Sequence, residues 1–179
     1  DKSLKHGPLE FLFTMDEETG LNGASGLESD FLQSRTLMNI DSEEEGAVYV
    51  GCAGGQDTLG SWKITKDAAP SGAIAADLKV MGLKGGHSGL EIHSGRGNAI
   101  KIIGRVLMYL TELGVRISTI DAGDKHNAIP READARVFIP KKKIDEAAAA
   151  VADFDSAIKA ELATVEPDLA ITLEPLPRV

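Results

Sequence analysis

Ala73-Ile74-Ala75-Ala76-Asp77-Leu78-Lys79-Val80-Met81 alternates well enough to place Ile74, Ala76, Leu78 and Val80 on one face. A period of two marks a strand with one buried side. Asn98 follows as a candidate N-cap, because its side-chain oxygen can accept a bond from the first helical turn. Behind it Ile100, Ile103, Leu107 and Leu110 recur at helical spacing, and Gly114 closes that helix at the C′ position. Val115 to Ile120 is a β-branched run and reads as a strand. Ala133 to Ile139 alternates again, with Ala133, Ala135, Val137 and Ile139 together. Lys143 to Thr164 predicts a second helix, striped by Ile144, Ala148, Val151, Ile158 and Leu162, with Pro140 before it and Pro167 after. Leu169 to Leu173 ends the series as a strand. From Ala73 onward the order is therefore β-α-β-β-α-β, a ferredoxin-like sandwich.

Upstream the rhythm differs. Leu9 to Thr14, Thr36 to Ile40 and Ala47 to Cys52 are short apolar runs bounded by glycine and acidic turns, which predicts buried strands. Ser25 to Gln33 is a candidate helix between the first two. A strand-helix-strand order implies an α/β layer, ending near Gly60 and too small to be a complete α/β domain. Ser61 to Thr65 is one more candidate strand. The chain thus divides into residues 1–60 and 61–179, α/β throughout.

The 179 residues carry a net charge of −9, with 42% hydrophobic and only 4% aromatic side chains. A core of Ile, Leu, Val and Ala is affordable. The acidic balance argues against a nucleic-acid surface, which would be basic. No apolar stretch approaches the roughly 20 residues of a membrane span. A single cysteine, Cys52, excludes an internal disulfide and fits a reducing, cytoplasmic setting, where it would be a small buried residue. No signal peptide is recognisable, and the start at Asp1 suggests an excised fragment.

Chemistry concentrates at Asp16-Glu17-Glu18, just past the first apolar run, and at Asp41, 23 residues after Glu18 at the end of the second. Two strand ends that bring carboxylates to one sheet edge make a site for a divalent cation. Of two adjacent carboxylates, one can bind metal while the other serves as a base. A solvated acidic turn is the plain alternative, and the same holds for Glu43, Glu44 and Glu45. Further motifs follow: Gly51-Cys52-Ala53-Gly54-Gly55, Gly85-Gly86-His87-Ser88-Gly89, Glu91-Ile92-His93 and His126-Asn127-Ala128-Ile129-Pro130-Arg131-Glu132. In this order they resemble the aminoacyl-histidine (Xaa-His) dipeptidases of the co-catalytic zinc peptidases, over nearly the whole chain.

That resemblance implies roles. Glu17 is the general base beside a water shared by two Zn²⁺ ions. Glu18 ligates one metal and Asp41 the other. An Asp at the last position is the pattern of aminopeptidases and dipeptidases, whereas many acylases and carboxypeptidases carry Glu. Asp16 is a structural neighbour. His87 stabilises the oxyanion of the tetrahedral intermediate from a lid domain, often across a dimer. Asn127 contacts substrate from the same lid. Residue chemistry alone leaves alternatives for each: an ordinary loop histidine for His87, a turn residue before Ile129-Pro130 for Asn127. His93 reads as a packing or hydrogen-bonding residue. Arg131 could hold a substrate carboxylate or pair with Glu132 or Asp134.

The family also carries a His-x-Asp motif and a bridging Asp upstream, and a further His near its C-terminus. None of His6, His87, His93 and His126 stands in a His-x-Asp. The expectation is a fragment from the middle of a longer, cytoplasmic di-zinc dipeptidase, inactive alone, holding part of the catalytic domain (1–60) and a lid that forms a homodimer (61–179). The rival is a non-catalytic ferredoxin-like dimerisation or binding module with incidental acidic loops.

Overall fold

The computed structural model describes residues 3–41, 44–52 and 54–177. They divide into two units, 1–61 and 62–179.

In the first unit the described residues form a single regular element, the short helix α1 (Asn22–Ser25). The strands expected at Leu9–Thr14, Thr36–Ile40 and Ala47–Cys52 do not form among them, nor does a helix over Ser25–Gln33. The reason is visible in their side chains. Phe13, Ile40 and Val50 are almost wholly exposed. A strand is stable only with a hydrogen-bonded partner and a covered face, and these runs have neither. Cys52 is likewise exposed rather than buried. Local order comes instead from Glu10, whose carboxylate accepts the Gln33 and Ser34 amides at 3.2 and 2.6 Å.

Ser61–Thr65, where the second unit begins, is also not a strand. From residue 74 the expected sandwich is present: β1 (Ile74–Met81), β2 (Gly86–His87), α2 (Ala99–Glu112), β3 (Arg116–Ala122), β4 (Ala128–Ile129), β5 (Ala133–Ile139), α3 (Ile144–Glu161) and β6 (Ala170–Pro175). The main sheet runs β3-β5-β1-β6, with every neighbouring pair antiparallel. The first strand lies between the third and the last, which is the split β-α-β arrangement. α2 packs on β1 and β5, α3 on β6.

Each element follows from its residues. Asn98 caps α2 by accepting the Lys101 amide at 3.1 Å. Gly114 takes φ +84°, and Val115 donates to Leu110 O at 3.2 Å to finish the turn. Val115 is thus spent on the helix end, and β3 begins one residue later than its β-branched run. The buried arc of α2 holds Ile102, Ile103, Val106, Leu107 and Leu110. Ile100 lies just past its rim and is exposed. In α3 the buried alanines are Ala147 and Ala150, not Ala148. On the open sheet face Arg136 donates to both Asp77 oxygens, at 2.8 and 3.1 Å. This bidentate bond holds Asp77 below the usual carboxylate range.

Leu78, Val106 and Val137 are fully buried at the centre of this core. Ile103→Ala is expected to cost about 2–5 kcal/mol through lost transfer energy and a cavity. Lys101→Ala, at an exposed position of the same helix, should stay within about 0.5 kcal/mol of the parent. Urea unfolding of both variants checks this; equal losses would place the core elsewhere.

Candidate active-site loop and acidic turn

In the first unit, Glu17 O accepts the Gly20 and Leu21 amides at 3.2 and 3.1 Å, which closes a turn from Glu17 to Leu21. Asp16 bears φ 56°, a left-handed conformation that Asp tolerates better than most residues. The backbone holds the turn, so the Glu17 and Glu18 carboxylates are left exposed to solvent. Asp41 is exposed too, and its amide donates to Asn39 Oδ1 at 2.9 Å. Glu44 accepts the Tyr49 hydroxyl, which raises the Tyr49 pKa. Glu43 lies outside the described residues. Among the described residues no group of three or more His, Cys, Asp or Glu side chains could hold a metal ion.

The second unit does bring two of its candidates together. β1 ends at Met81, and Gly82 turns at φ +79°, where a Cβ would collide with the Asp168 backbone. Two more glycines with positive φ, Gly85 and Gly86, lead into β2. That two-residue strand pairs with β4 in register Gly86↔Ile129 and His87↔Ala128. Ser88 N donates to Asn127 O at 3.0 Å, extending the pairing by one rung. The backbone segments that carry His87 and Asn127 are therefore paired with each other.

The His87 ring has a fixed polarity. The Gly89 and Leu90 amides both donate to Nδ1, each at 3.1 Å. An atom that accepts two N–H bonds carries the lone pair, so the ring proton belongs on Nε2. His87 is exposed, and this Nε2–H can donate outward. A Cβ at Gly89 would stand 3.2 Å from His87 Cε1, so a side chain there would press on the ring. His93 sits exposed in a single 3-10 turn, Ile92–Ser94. Arg131 reaches Glu132 at 3.8 Å and also lines an open cavity of about 530 Å³ with Lys84, Gly86, Lys125 and Ile129.

The sequence offers Glu91 only as part of the Glu91-Ile92-His93 motif, with no role, and gives no sign of two further charged residues around this loop, Arg96 and Glu166. Glu91 Oε2 accepts the His87 amide at 2.8 Å, which with the Arg96 charge holds its pKa below the usual range. Only the crowding of glycines at 82, 85, 86, 89, 95 and 97 hinted at close packing there.

Residues 78–166 match the peptidase dimerisation domain of the M20 type. The chain is also 45% identical, over 97% of its length, to a cytosol non-specific dipeptidase of Escherichia coli (strain K12). It superposes along its full length on the crystal structure of an aminoacylhistidine dipeptidase from Vibrio alginolyticus, with TM-score 0.76 and 41% identity. The chain spans 36% of the first protein and 37% of the second.

Proposed function

We propose that this chain is part of a di-zinc dipeptidase that hydrolyses Xaa-His dipeptides. Residues 1–60 would contribute to its catalytic domain and residues 61–179 to its lid and dimerisation domain. The observation that carries the reading is the His87 ring, whose Nδ1 accepts two backbone amides and whose Nε2–H is left to donate. Similarity to two dipeptidases supports it.

Glu18 and Asp41 offer carboxylate oxygens that zinc accepts, one to each ion. Structural and catalytic zinc takes four ligands, so these two are part of a larger donor set. Zinc, when bound, lowers the pKa of a water and polarises the scissile carbonyl. Glu17 takes the proton of the attacking water and returns it to the leaving amine. His87 Nε2–H donates to the oxyanion as it forms. Asn127 orients the dipeptide. The name of the Escherichia coli relative supports a cytoplasmic setting, and no helix among the described residues is long and apolar enough to cross a membrane. The partners in this reading are the dipeptide and a second copy of the chain, with no nucleic acid and no membrane.

One observation favours the dimerisation role for the second unit in its own right. β3 is an edge strand with Ile117 and Ile120 exposed, and Met108 of α2 is exposed as well. An edge strand with exposed apolar side chains invites a second copy.

The test uses both lengths of protein. The full-length protein should cleave a Xaa-His dipeptide with zinc and stop when a chelator removes it. The 179-residue chain alone should cleave none yet sediment as a dimer. Hydrolysis by metal-free full-length protein, or by the chain alone, would overturn the reading.

A further inference from the structure

The loop from Lys84 to Gly97 is pinned at both ends by one carboxylate. Glu166 is 1% exposed, and its two oxygens accept the amides of Lys84 and Gly97, each at 2.9 Å. A buried carboxylate is costly unless it is hydrogen-bonded, and here each oxygen has a backbone donor, from opposite ends of the loop. Within the loop, Arg96 Nη1 donates to Gly85 O at 2.6 Å, and Arg96 also forms an ion pair with Glu91. The same Glu91 carboxylate receives the His87 amide at 2.8 Å. Gly86 has room for no side chain, because a Cβ there would strike both Arg96 and Glu91. At Gly97 a Cβ would stand 2.6 Å from Leu83 and 3.0 Å from Leu162. Hydrogen bonds and one ion pair, joined through the peptide links Lys84–Gly85 and Arg96–Gly97, therefore connect the buried Glu166 to the amide of His87.

We infer that Glu91, Arg96 and Glu166 are positioning residues for His87. They hold the loop so that the Gly89 and Leu90 amides face Nδ1, and so they fix the Nε2–H tautomer that an oxyanion donor needs. This rests on the proposed role of His87 in dipeptide hydrolysis. None of the three touches substrate in this scheme. They act through the ring, much as a hydrogen-bonded partner fixes the tautomer of a metal-bound histidine. A free loop would let the ring turn, and misplacement of a catalytic group by about 1 Å can cost roughly 10²-fold in rate.

Two measurements test the inference. Long-range ¹H–¹⁵N spectra of the ¹⁵N-histidine-labelled 179-residue chain should show His87 protonated on Nε2 and bare on Nδ1. Glu91→Ala should convert this to a mixture of tautomers. Glu91 is partly exposed, so this variant should keep its fold. A parent spectrum with the proton on Nδ1, or a tautomer untouched by Glu91→Ala and by Arg96→Ala alike, overturns the proposal.

In the full-length protein, Glu91→Ala should lower kcat roughly 10–100-fold with little change in KM. In a His87→Ala background the same substitution should add nothing. A further loss there would make Glu91 merely structural. An unchanged kcat in His87→Ala would instead sink the functional reading itself, whatever the tautomer spectrum reports.

Discussion

Glu17→Ala in the full-length protein is expected to lower dipeptide hydrolysis by about 10²–10⁴-fold while leaving its metal content unchanged, as for a general base that is not a ligand. The local geometry makes the substitution clean. Glu17 serves its turn through its carbonyl, which accepts the Gly20 and Leu21 amides, and not through its side chain. Truncation at Cβ therefore leaves the turn bonded and the adjacent Glu18 in place. Glu18→Ala is the control, because a ligand should take metal and activity away together. Metal analysis beside initial rates distinguishes the two. Parallel loss of zinc and activity in Glu17→Ala would make Glu17 a ligand and move the base elsewhere.

How much of this was legible in the sequence depended on where the stabilising contacts lie. The sandwich was legible because its periodicity is local and its partners are in the same chain. Ala76, Leu78 and Val80 alternate in β1, and the residues that cover them, such as Ile103 and Val106, lie within thirty positions. Asn98 and Gly114 announced both ends of α2 through capping chemistry that needs no tertiary context. The apolar runs before residue 60 have equally good strand composition. Composition supplies neither a pairing partner nor a covering face, and here Phe13, Ile40 and Val50 stay exposed. The β2–β4 ladder escaped notice because two residues on each side carry no period at all. Glu166 escaped for a different reason. It is 69 residues from Gly97 and 82 from Lys84, and nothing in the Val165-Glu166-Pro167 stretch separates a buried clamp from a solvated helix end. His87 and Asn127 stand out by their motifs, but the pairing of the segments that carry them and the polarity of the ring are properties of the fold.

The polarity of that ring is what makes His87→Ala informative. Removing one preorganised oxyanion donor costs about 10²–10³ in kcat. His87→Ala in the full-length protein should show a loss of this size with metal content and unfolding midpoint unchanged, because His87 is exposed and its backbone pairing with Ala128 survives the change. His87→Gln should recover part of the rate if its amide N–H reaches the place of Nε2–H. The side on which His87 acts is settled by mixing. When inactive Glu17→Ala and inactive His87→Ala proteins exchange subunits, a donor that works across the dimer leaves one hybrid site with both its base and its histidine. Activity should then return in the mixture. No recovery in a mixture that has demonstrably exchanged subunits would confine His87 to its own chain. A kcat equal to the parent's in His87→Ala would leave the residue an ordinary loop histidine.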